Sequence, residues 1–204
     1  MPGIGDVFVV GGNTIYRLTG APDGSSSWTQ ATVGPSKGNT SALSGLAPVA
    51  TSTNNLDLFY FDLNLNLQHI YLAANQAYPY GNNWAVGPST GVVGQYPLFL
   101  SAVPRSQNNI DVASPCATGL CDVSIAVSGT YPGPAPAISS ALAINPSAPF
   151  SIVAATSFAL DLVTASGWTA YDVSWQTGAS SWAMTGPVPA RDAIPTLVAL
   201  LQLY

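Results

Sequence analysis

The sequence predicts an all-β protein, a four-bladed β-propeller, and three observations carry that reading. The chain is poor in charge and in helix formers. Glycine and proline cut it into strand-sized runs. One short pattern recurs at near-equal intervals along its whole length. Of 204 residues only 6% are charged, against about 25% in an ordinary soluble domain. Every acid is an aspartate, and the bases are Arg17, Lys37, Arg105 and Arg191. A chain without glutamate and nearly without lysine lacks the stock from which long helices are built. With 19 glycines and 17 prolines among runs of Val, Ile, Thr and aromatics, it reads as short strands joined by turns.

The recurring pattern is apolar-Asp-apolar at the opening of a strand. It occurs as Gly5-Asp6-Val7-Phe8, Leu56-Asp57-Leu58-Phe59, Ile110-Asp111-Val112-Ala113 and Leu160-Asp161-Leu162-Val163. The four aspartates are spaced at about 51 residues, the kind of period that marks repeated structural units. Each unit reads as a four-stranded meander. The second unit, residues 37–90, has strands at 46–52, 56–61 and 67–73, a turn at 62–66, and a last strand near Trp84-Ala85-Val86 before Gly87-Pro88. The first unit ends alike at Trp28 and Gly34-Pro35, and the fourth, residues 137–190, at Trp182 and Gly186-Pro187. In the third unit, residues 91–136, Tyr131 stands where the tryptophan is expected. The first unit, residues 1–36, opens on a second strand, and residues 191–204 read as a first strand with nothing after it. Joined, they would complete one blade and hide the ring's edges. A Greek-key β-sandwich is the alternative fold.

Composition narrows the partners. A net charge of −5 with four scattered bases leaves no stripe to neutralise phosphates, so no nucleic-acid partner is expected. At 48% hydrophobic and 10% aromatic the chain is not disordered. No charge falls between Val123 and Leu160, but Pro132, Pro134, Pro136, Pro146 and Pro149 interrupt that run, so no membrane span is expected. No basic stretch followed by an apolar core stands at residues 1–30, and Met1-Pro2-Gly3 reads as a cytosolic start or as a mature chain with an added Met. Cys116 and Cys121 bracket four residues, a spacing that suits a disulfide across a hairpin turn, with two buried thiols as the alternative. One histidine and two cysteines make a poor zinc site. A disulfide, together with the sequon Asn39-Thr40-Ser41, favours a secreted or extracellular location over the cytoplasm.

The second unit, with Leu56-Asp57-Leu58-Phe59-Tyr60-Phe61, Leu67-Gln68-His69-Ile70-Tyr71-Leu72 and Trp84, resembles one blade of the fungal fucose-binding lectin propellers. The likeness extends loosely to all four units. It implies a secreted or fruiting-body fungal protein with ligand pockets between adjacent blades. Those lectins hold fucose with an arginine near the start of the second strand, a glutamate on the third and an aromatic ring. The arginine position falls on Asp57 here, and on Asp6, Asp111 and Asp161 in the other units; the glutamate position falls on His69, and near Arg17, Asp122 and Asp172. The fucose pattern is therefore not kept.

These residues are the candidate ligand groups, together with Trp28, Trp84 and Trp182. Counting back from the hairpin turns places Asp6 opposite Arg17, Asp111 opposite Asp122, Asp161 opposite Asp172, and Asp57 opposite Gln68 or His69. Aspartate accepts hydrogen bonds from sugar hydroxyls, and paired carboxylates suit a hard cation such as Ca²⁺. The alternative is that each Asp caps backbone N–H groups where its strand begins. The tryptophans either wedge between blades or stack on the C–H face of a sugar. Trp168 and Trp175 lie on opposite faces of one strand if it is regular. His69, the sole histidine, is a ligand contact or general base, with no nucleophile motif beside it. No catalytic residue is assigned. The expected function is carbohydrate binding, with a glycan or small-molecule ligand and self-association left open. The alternatives are a cyclase- or pericyclase-like enzyme that positions a hydrophobic molecule without a nucleophile, and a structural protein with no small ligand.

Overall fold

The structure is a computed structural model. The structure describes residues 5–21, 23–52, 55–72, 83–87, 89–94, 99–106, 109–116, 119–126, 150–156, 159–166, 169–176 and 179–188. They form fourteen strands and one 3-10 turn, Gly34–Ser36, arranged as four antiparallel sheets. Sheet 1 contains β1 (Gly5–Gly11), β2 (Thr14–Gly20) and β3 (Thr29–Thr32). Sheet 2 contains β4 (Leu46–Ser52), β5 (Asn55–Phe61), β6 (Leu67–Leu72) and β7 (Trp84–Val86). Sheet 3 contains β8 (Ser101–Ser106), β9 (Asn109–Cys116) and β10 (Gly119–Ala126). Sheet 4 contains β11 (Phe150–Thr156), β12 (Ala159–Ser166), β13 (Thr169–Gln176) and β14 (Ala183–Val188). Each sheet is a meander in chain order, without a Greek-key crossover among the described residues.

The sheets stack in sequence, and three apolar layers join them. Ile15 and Val33 of sheet 1 pack with Leu56, Leu58, Tyr60, Ile70, Leu72 and Trp84 of sheet 2. The other face of sheet 2, with Phe59, Phe61 and Leu67, packs on Ile110, Val112, Val123 and Ile125 of sheet 3. Val103, Ala113 and Leu120 then meet Ile152, Leu160, Leu162, Val173 and Trp182 of sheet 4. The period-two alternation of strand side chains produces this, because sheets buried on both faces carry apolar residues at odd and even positions alike.

The turns follow local chemistry. Gly12 and Asn13 both take positive φ, 55° and 59°, which is the two-residue turn that matches the twist of paired strands. At the β5–β6 turn, buried Asp62 accepts hydrogen bonds from the Asn64 and Asn66 backbone N–H groups at 2.8 and 2.9 Å. Its Oδ2 accepts from Gln68 Nε2 at 2.8 Å. Cys116 and Cys121 form the expected disulfide across the β9–β10 hairpin, Cα atoms 5.9 Å apart.

The predicted strands of the second unit match β4 to β7 within a residue at each end. The closing strand placed in 191–204, the Tyr131 position and Trp168 lie outside the described residues. Among those described, β1 is an edge strand and the four sheets form an open series. No helix among them is long and apolar enough to cross a membrane.

Candidate functional site

All four sheets share one geometric relationship. Asp6 pairs across the ladder with Thr19, Asp57 with Tyr71, Asp111 with Ser124, and Asp161 with Ser174. The residues expected opposite the aspartates, Arg17, His69, Asp122 and Asp172, instead sit two positions along the partner strand. The observed partner lies two residues beyond the expected one in sheets 1, 3 and 4, and two or three beyond it in sheet 2, where Gln68 or His69 was expected, because each hairpin is centred later along the chain than the count assumed. An even offset keeps both side chains on one face, where diagonal neighbours are within reach of long side chains. In sheets 1 to 3 that face looks toward the next sheet in the chain; in sheet 4 it is the face away from sheet 3.

The relationship gives a different result each time. In sheet 1, Arg17 donates Nε and Nη2 to the two oxygens of Asp6 at 2.7 and 2.8 Å, and the Thr19 hydroxyl donates to Asp6 at 2.7 Å. That is a bidentate pair with matched charge. In sheet 2, His69 Nε2 and Asp57 Oδ1 are 2.8 Å apart, and both side chains are buried. The imidazole stacks on Phe59 with ring centres 4.7 Å apart and leans on Tyr71. Its Nδ1 has no hydrogen-bond partner among the described residues. Gly87 closes the other side: its N–H donates to the His69 carbonyl at 2.8 Å, and a Cβ at 87 would overlap the ring. His69, the residue weighed as a general base, is enclosed rather than presented.

Sheet 3 differs. Asp111 and Asp122 are 1% and 2% exposed. Arg105, on the first strand of the same sheet, places Nε 2.9 Å from Asp111 Oδ2, out of line for a hydrogen bond, and donates Nη2 to the Ser124 hydroxyl at 2.9 Å. Its guanidinium lies over the Trp175 ring of sheet 4, 5.2 Å from the centre. Asp122 Oδ1 has no hydrogen-bond partner among the described residues. Burial pushes the Asp122 carboxyl well above the ordinary carboxylate range, the neighbouring Asp111 pushes it the same way, and Arg105 opposes both. Burial also raises Asp111, with Arg105 and Ser124 holding it back. On the facing side, the indole N–H of buried Trp182 has no partner among the described residues either. A cation, two carboxyls and two indoles thus converge from adjacent sheets.

In sheet 4, Asp161 and Asp172 share the face away from sheet 3, since Leu160, Leu162 and Val173 turn toward it. Burial, then the charge on Asp172, raises Asp161. The tryptophans divide. Trp84 is 9% exposed and meets Phe8 of sheet 1 edge-on, ring centres 5.9 Å apart, and Trp182 is 5% exposed in the sheet 3–sheet 4 layer. Both wedge against the preceding sheet. Trp28, at the matching place in sheet 1, lies over Gly20 and is 43% exposed. Sequence reasoning missed Arg105 as a site residue; the signal was its being one of four bases, in the same hairpin as Asp111.

No family model and no curated protein matches the chain. Solved structures do. The chain is similar to the BP39L lectin from Burkholderia pseudomallei, with a TM-score of 0.69 and 17% identity over 92% of this chain and 52% of that one. A variant of the AofleA lectin of Arthrobotrys oligospora gives 0.63 and 14% over 86% and 51%. The fucose-recognising lectin of Aleuria aurantia, a six-bladed β-propeller, gives 0.56 and 18% over 89% and 54%. The likeness is one of fold, an all-β arrangement shared with fucose-binding lectins at low sequence identity. The chain spans about half the length of the structures it matches.

Proposed function

We propose that the chain binds carbohydrate, with its ligand seated between sheets 3 and 4. The observation that carries this is the Arg105 guanidinium set over Trp175 beside the Asp111 and Asp122 carboxyls. Guanidinium and carboxyl groups exchange hydrogen bonds with hydroxyls, and an indole offers an apolar face to sugar C–H groups. The other two described interfaces support this choice by contrast. Asp6 is taken up by Arg17 and Thr19, and Asp57 by a closed-in His69. The likeness to lectin propellers favours the same class of ligand. A secreted setting agrees with the disulfide.

A glycan array, run with and without Ca²⁺, tests the proposal. Wild-type protein should retain a defined set of sugars, and Arg105→Ala should lose them while keeping a cooperative melt. Absence of any sugar binding at millimolar ligand, with or without Ca²⁺, would remove the reading.

A further inference from the structure

Among the described residues, the sheet 3–sheet 4 interface sets two buried carboxyls against one cation. Arg105 is the one cation facing it among the described residues, and its guanidinium is engaged with Asp111 and Ser124. Asp122 is left over. Among the described residues, the titratable and charged groups on this face are Arg105 on β8, Asp111 on β9, Asp122 on β10 and Tyr171 on β13; by strand alternation the described residues of β11, β12 and β14 place none there. In sheet 1 the same diagonal pair balances one carboxylate against one guanidinium. Here two carboxyls share one guanidinium, and a buried carboxyl without a counter-charge keeps its proton. Asp122 Oδ1 and the Trp182 indole N–H, an acceptor and a donor on opposite sheets, are both unpartnered among the described residues.

We infer that this site selects a sugar bearing a free amine over its neutral and acidic counterparts, the ammonium taking the place of the Asp122 proton. The inference rests on the carbohydrate-binding reading and sharpens it. An ammonium brings the counter-charge that Asp122 lacks, and its three N–H donors suit a carboxylate. The Asp122 proton leaves to solvent as the ammonium arrives. A neutral hexose has nothing to exchange for that proton. A uronic acid would add a third carboxylate beside Asp111 and Asp122, which the single guanidinium cannot offset.

Titration calorimetry at about pH 6.5, where an amine of ordinary basicity is charged, separates the outcomes. Glucosamine and galactosamine are compared with glucose, galactose, their N-acetyl forms and glucuronate, each in two buffers of different ionisation enthalpy. The expected result is that the amino sugars bind about 10-fold tighter or better than the parent hexoses. They should also release protons on binding, and glucuronate should not bind. In Asp122→Asn, whose amide is near-isosteric, both the amine preference and the proton release should vanish. Equal affinity for amino and neutral sugars overturns the inference and leaves carbohydrate binding standing. A preference without proton release overturns the role given to Asp122. Failure of every sugar to bind overturns both readings together.

Discussion

His69 Nε2 lies 2.8 Å from Asp57 Oδ1 although the two residues are not ladder partners, each reaching diagonally across β5 and β6. Both are buried. The Asp57→Ala variant strands an imidazole between Phe59 and Gly87 with neither ring nitrogen paired. It is expected to lose about 2–4 kcal/mol of stability. Asp57→Asn keeps an acceptor at this position and should lose less than half of that. Urea denaturation checks both, and an unchanged midpoint for Asp57→Ala would contradict the buried pair.

Gly87 tests the same pair from the opposite side. A methyl group there overlaps the His69 ring, so Gly87→Ala should cost about 1–3 kcal/mol, the usual range for forcing atoms into a packed site. In a His69→Ala background the ring is gone, and the same substitution should be close to neutral. A double-mutant cycle that came out additive would show that the glycine serves something other than the histidine.

The carboxyls of sheet 3 make stability depend on pH with a definite sign. Asp111 and Asp122 are both raised from the ordinary Asp value. Below that value folded and unfolded chains are equally protonated, and the contribution is intact. As pH rises, the unfolded chain gives up protons that the folded one retains, so stability falls until the folded carboxyl ionises. Melting temperature should therefore decline from acid toward neutral pH. Asp122→Asn should flatten that decline and be the more stable form at neutral pH. A wild-type profile that rises over the same range would refute this.

Tryptophans at matching places in the repeat should respond unequally. Trp84 is wedged on Phe8, and Trp84→Ala should cost about 3–5 kcal/mol as a large buried side chain. Trp28 stands 43% exposed, and Trp28→Ala should cost about 1 kcal/mol or less. Comparable losses in thermal unfolding would mean that Trp28 is covered in solution.

Much of the fold was legible because each sheet is a meander built from one contiguous stretch of chain. The strands β4, β5 and β6 showed as runs bounded by Asn, Asp, Gly and Pro, and the recurrent Asp marked the second strand of sheets 2, 3 and 4 and the first described strand of sheet 1. The pairing of Cys116 with Cys121 followed from spacing across one hairpin. The cross-strand facing was misjudged, since register depends on where a turn is centred. The first hairpin is centred on Gly12-Asn13, one residue later than assumed, which carries Asp6 past Arg17 to Thr19. The site needed packing between sheets: nothing in the sequence places Arg105 over Trp175, residues from different repeats. Likewise the contrast between Trp28 and Trp84 depends on which neighbour each sheet has.

Every sheet is assembled from a contiguous stretch of chain, and each described interface joins sheets that are consecutive in sequence. Strand pairing therefore asks for little long-distance search, and maturation can follow the order of synthesis. In that order sheet 2 would seal onto sheet 1 through Trp84, and each later sheet would dock on a template already standing. The interface bearing Arg105, Asp111 and Asp122 would then close after the other two, and its charged cluster would be desolvated only once its scaffold is in place.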